Sequence, residues 1–153
     1  MDDEGFHEEL PLPVSDELGQ LLLFAMEYAV GVRLGIADDL VPGVVTEVGS
    51  ERAIRHFVHD DLREGVEMAR QFVTAGRDDA GREFERAALF SDAWVDVEGN
   101  RREAVLVEVH ERGTASGMLL GQSYRSRRFR KPESFGNPFV LDEVAPLIGD
   151  STS

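Results

Sequence analysis

The hydrophobic period of this chain changes once, near Arg86, and that change constrains the fold more than any other feature. Upstream, apolar residues recur every three or four positions, as on a helix buried along one side. Downstream, stretches rich in β-formers and small apolar residues are separated by turn-like segments. Helices first and strands afterwards imply a segregated α+β domain rather than the alternating order of a parallel sheet.

Two N-terminal helices are expected. Ser15 is a suitable N-cap, with Asp16 and Glu17 near the positive end of the helix dipole. Leu18, Leu21, Leu22, Ala25, Tyr28, Ala29 and Val32 then follow helical spacing, predicting a helix over about 16–31, with Gly31 and Gly35 marking its end. Leu23, Phe24 and Met26 widen the stripe, so burial on more than one side is expected. Residues 38–49 read as a connection with room for a short strand. A second helix is expected over about 51–75, capped by Ser50, with Ile54, Phe57, Val58, Leu62, Val66, Ala69, Phe72 and Val73 on one face. Glu51 and Arg55 would pair four residues apart on it, and Gly76 suits its C′ position. The polar stretch 77–85 has room for another short helix after Asp78 or Asp79.

Residues 87–97, 103–110 and 118–124 read as a three-stranded antiparallel meander, over about 87–124 in all. The aromatic and proline-bearing remainder, with Phe129, Phe135, Pro138 and Phe139, is expected to fold over the sheet as an irregular C-terminal cover. One helical turn after Asp142 would be limited by Pro146. The domain reading is an acidic flexible tail at 1–14, one domain at 15–149 and a C-terminal tail at 150–153.

Composition narrows the chemistry. The 153 residues carry a formal net charge of −14, which repels nucleic acid and anionic lipid over most of the surface. The absence of cysteine excludes disulfides, thiolate nucleophiles and Cys-ligated zinc. Lys131 is the one lysine, so a Schiff-base mechanism would rest on it alone. The acidic first residues do not resemble a signal peptide, and the apolar run 21–26 is far short of a membrane span. A soluble, cytoplasmic protein is the expectation.

Three constellations could carry function. The first is His56, His59 and Asp60, which on a helix would share one face; His59-Asp60 echoes the paired ligands of the HD phosphohydrolases, but the other ligand histidines are missing, and no metal is expected. The second depends on the register of the hairpin at Gly99-Asn100. A two-residue turn there would pair Trp94 with Val105. A three-residue loop, preferred on hydrophobic matching, would set Trp94 opposite Leu106 and Asp92 across from Glu108, with His110 next along. Asp92 with Glu108-x-His110 loosely resembles the PD-(D/E)xK nucleases, which carry lysine where His110 stands. The third is the basic segment Arg125, Arg127, Arg128, Phe129, Arg130 and Lys131. It packs five of the sixteen basic residues into seven positions with no acid, so without it the rest of the chain falls from −14 to −19.

The leading expectation is therefore a non-enzymatic interaction protein, self-associating as a homodimer or binding another protein through the basic segment, the acidic body or the aromatic cover. No cofactor, nucleic acid or membrane is implied. The alternative is a small-ligand or enzymatic pocket between helix and sheet, faintly similar to the cystatin-like cone folds related to nuclear transport factor 2. There Asp92, Trp94, Glu108, His110 and Tyr124 would converge on one cavity.

Overall fold

Ser15 starts the first helix as its spacing predicts: Ser15 Oγ accepts the Leu18 N–H at 3.1 Å. In the computed structural model, which describes residues 14–35, 40–114, 117–127, 130–134 and 136–144, helix α1 spans Asp16–Gly35. It runs through Gly31 to Gly35 and buries Leu18, Leu21, Leu22, Ala25, Met26, Ala29 and Arg33. By length and composition alone α1 could cross a bilayer. In the fold its apolar stripe lies against the sheet.

The expected second helix begins too early. Residues 43–56 form a hairpin, β1 (Gly43–Val48) and β2 (Glu51–His56), joined through Gly49 at φ 59°. Helix α2 occupies only Leu62–Ala75; Asp61, not Ser50, is its N-cap, accepting the Arg63 N–H at 2.9 Å. Gly76 closes it at φ 75°, donating to the Phe72 and Val73 carbonyls. The physical reason lies in β2, where Ile54 is the single large apolar residue. Such a segment has no stripe to commit it to a helix, and pairing with β1, Val45 opposite Ile54, decides its conformation. The Glu51–Arg55 helical pair does not form; Arg55 bonds Asp79 and Glu51 bonds Arg82. Residues 77–85 make a turn held by the Arg77↔Glu83 bridge and by Asp78, which accepts the Ala80 and Arg82 N–H groups, in place of a short helix.

The meander is present and longer than expected: β3 Arg86–Val97, β4 Asn100–Glu111 and β5 Gly117–Arg127. The irregular cover is replaced by two further strands, β6 (Arg130–Ser134) and β7 (Phe139–Val144), which pair side by side along β5. Asp142 sits in β7 opposite Leu119 rather than starting a helical turn. Free N–H and C=O groups along the outer edge of β5 explain this: a ladder satisfies them, and an irregular cover would not. The result is one antiparallel seven-stranded sheet in the order β2-β1-β3-β4-β5-β6, with β7 also beside β5. The chain is thus α+β with two helices and seven strands, and α2 lies between strand pairs rather than ahead of them all.

Strand alternation divides the core. Val45, Ala88, Phe90, Val105, Val107, Val109, Met118 and Leu120 face α1. Val44, Ala87 and Leu89 face the other way, with Phe57, Phe84 and Ala69 and Val73 of α2. The tails read at 1–14 and 150–153 lie outside the described residues except for Val14, which packs against the α1 cluster.

Candidate binding site

The turn between β3 and β4 sets the site. It falls on Glu98 and Gly99, at φ 52° and 84°, the pair of positive angles that a two-residue type I′ hairpin requires. Val97 therefore faces Asn100, Trp94 faces Glu103, and Asp92 faces Val105. Both registers considered from the sequence are displaced. The three-residue loop also has the wrong parity, which turns every side chain of one strand to the other face. Asp92 stands on the α1 face and Glu108, opposite Leu89, on the α2 face. The five residues therefore do not share one cavity: Asp92, Trp94 and Tyr124 come together on the α1 side while Glu108 and His110 lie on the α2 side, and the nuclease-like pairing of Asp92 with Glu108 is not formed.

On the α1 face, Trp94, Glu103, Tyr124 and Ser134 form one row across β3, β4, β5 and β6. Asp92 lies two residues inward. Arg33 descends from the last turn of α1, its Nε donating at 3.0 Å both to Asp92 Oδ2 and to Tyr124 Oη. Tyr124 in turn donates to Asp92 Oδ1 at 2.6 Å, and the Leu40 N–H reaches Oδ2 at 3.4 Å. The guanidinium lies 4.6 Å above the Tyr124 ring.

Burial and the proton it gives to Asp92 push the Tyr124 pKa up, against the opposing pull of Arg33. Burial would lower the Arg33 pKa, but its bonds and charge interactions with Tyr124 and Asp92 outweigh that and hold it above its ordinary value. The three groups are hydrogen-bonded to one another and tie α1 to the sheet.

Asp92 and Tyr124 of this triad line a cleft of about 180 Å³, together with Leu62, Ala93, Trp94 and Glu103. Trp94 is 57 % exposed, and Arg101 of β4 lies 5.5 Å over its ring. The cleft opens along an edge of β3. Pairing with β1 ends at Gly43↔Phe90, so residues 91–97 have no ladder partner on that side among the described residues. Pairing of β4 with β5 likewise ends at Glu103↔Tyr124. Beyond it the β3–β4 hairpin continues as a two-stranded arm.

Glu108 and His110 form a separate cluster on the α2 face. His110 is fully buried, its Nε2 2.7 Å from Glu108 Oε2, and Arg70 of α2 closes on the same carboxylate at 2.7 and 3.2 Å. Burial works to raise the Glu108 pKa, yet the His110 hydrogen bond and the Arg70 charge prevail and hold it below the usual range. An open groove of about 440 Å³ runs past Arg70 along α2.

The histidine cluster read on a helix is taken apart. His56 ends β2 with Nε2 3.3 Å from Tyr28 Oη; His59 Nδ1 accepts the Asp61 N–H at 2.9 Å; Asp60 belongs to the link before α2. Among the described residues, no group of three or more His, Asp or Glu is placed to hold a metal.

The basic segment lies on β5 and β6. Arg125 is exposed and paired with Glu133 in the ladder, Arg127 faces Arg130, and Lys131 follows in β6, while Arg128 and Phe129 lie outside the described residues. Its strands extend past Tyr124 at the same end of the sheet as Trp94.

Sequence reasoning missed Arg33, Leu62 and Glu103. Arg33 was detectable: it stands four residues after Ala29 on the apolar stripe of α1, and a charge there needs a buried partner. Leu62 and Glu103 could not be found without the register.

No family model matches the chain, and comparison with curated proteins and with solved structures found no match.

Proposed function

We propose that this is a non-catalytic interaction protein that self-associates through the end of the sheet carrying Trp94 and the β5–β6 hairpin. The observation that carries the reading is Trp94, a large aromatic side chain more than half exposed beside a cleft whose Asp92 and Tyr124 are already bonded to each other and to Arg33. Exposed aromatic residues over a packed base are typical anchors of protein interfaces. At about 180 Å³ the cleft is smaller than the roughly 300 Å³ at which small-molecule pockets begin, so it suits one side chain of a partner. The charge distribution favours the same end. Five positive charges within residues 125–131, against −19 over the rest of the chain, give two copies complementary surfaces.

The test is sedimentation velocity over a range of protein and salt concentrations. The expected result is a dimer that dissociates as salt rises and is weakened when Arg127, Arg128 and Arg130 are replaced by Ser, with far-ultraviolet circular dichroism unchanged. A monomer at every concentration would rule the reading out.

A further inference from the structure

The cleft beside Trp94 has a chemistry that names its occupant. Its walls are an exposed indole, the edge of Tyr124 and the carboxylate-bearing Glu103 directly across the ladder from both. Aromatic faces attract guanidinium through the ring quadrupole, and a neighbouring carboxylate adds a charged acceptor. The chain already shows the preference: the Arg101 guanidinium rests on one side of the Trp94 ring. Residues 91–97 alongside, which have no ladder partner on that side among the described residues, offer main-chain groups to an extended segment, so a strand carrying arginine could lie along the edge and place a side chain in the cleft.

We infer that the cleft receives an arginine from the basic β5–β6 hairpin of a second copy of this chain. This rests on the self-association proposed above and specifies its contact. The hairpin has the right chemistry, with Arg125, Arg127, Arg130 and Lys131 on paired strands, and these strands run past Tyr124 at the end of the sheet that holds the cleft. Donor and receptor at one end permit a two-fold arrangement in which each copy gives one hairpin and receives another.

Two full-length variants test the contact by mixing. Trp94→Ala removes the receptor and, because the chain has one tryptophan, all indole fluorescence; Arg127→Ser with Arg130→Ser removes the donor and keeps Trp94. Each variant alone lacks both reciprocal contacts and is expected to dimerise about tenfold or more weakly, as for the loss of two cation–π pairs. Mixed together they restore one contact. The expected result is a mixed dimer in sedimentation, with a shift in Trp94 emission arising solely from the donor-deficient chain. Trp94→Phe, which keeps an aromatic face, is expected to fall between wild type and Trp94→Ala.

If both variants dimerise as wild type does, this contact is wrong while self-association stands. Variants that stay monomeric when mixed also overturn it, because reciprocal contacts must complement. A wild-type chain that is monomeric throughout removes the contact and the self-association together.

Discussion

Tyr124 donates its phenolic proton to Asp92 at 2.6 Å across two strands, and Arg33 reaches both from helix α1 at 3.0 Å. Sheet and helix are thereby tied through three polar side chains at the edge of an otherwise apolar interface.

Breaking that tie has an ordered cost. Tyr124→Phe leaves Asp92 Oδ1 without its donor, and about 1–3 kcal/mol of stability should be lost in urea unfolding. Asp92→Ala removes a charged acceptor from the buried Arg33 and should cost more, about 3–5 kcal/mol. A larger loss for Tyr124→Phe than for Asp92→Ala would contradict the arrangement.

The same tyrosine sets an alkaline limit. Its folded pKa is raised above the unfolded value of about 10, so its contribution is complete below that pH and declines as pH rises beyond it. Wild-type protein should lose stability above about pH 10 more steeply than Tyr124→Phe, as measured by urea midpoints at each pH.

Glu108 acts at the opposite limit. Its folded pKa lies below the unfolded value of about 4.3, so its contribution is present above that pH and disappears as pH falls through the folded pKa. Glu108→Gln should therefore lower stability at neutral pH and flatten the acid limb of the stability profile. An unchanged acid limb would mean that Glu108 is not held by His110 and Arg70.

Two glycines should respond oppositely to alanine. At Gly43 a Cβ would press into the Phe90 ring and come within 2.9 Å of the Arg55 carbonyl, so Gly43→Ala should destabilise by about 1–3 kcal/mol. Gly19, within α1, has open space around the added methyl, and Gly19→Ala should stabilise by about 0.5–1 kcal/mol. Thermal unfolding of the pair decides the matter, and a stabilising Gly43→Ala would refute the packing at Gly43.

Glu98 stands at φ 52° in the hairpin turn, where asparagine is better suited. Glu98→Asn should raise the melting temperature without altering the Trp94↔Glu103 pairing, which cross-strand nuclear Overhauser effects would confirm. No gain would place the turn elsewhere.

The sequence by itself determined the elements whose signals are local. Helix α1 is written in its stripe from Leu18 to Ala29 and in Ser15; the end of α2 is written in Gly76, because only a residue tolerant of positive φ closes a helix that way. The cores of β3, β4 and β5 were legible as long β-forming stretches between turns. Tertiary structure decided what depends on a partner. β2, with Ile54 as its one large apolar residue, became a strand because β1 offered it a ladder, and β6 and β7 did so because β5 had an unpaired edge. The hairpin register was decided in the same way. Its competing alignments differ by two or three residues in pairing, differences too small for local preference to separate. The choice came from which face the whole strand had to bury, and it placed Asp92 with Arg33 and Tyr124 while sending Glu108 to His110 and Arg70.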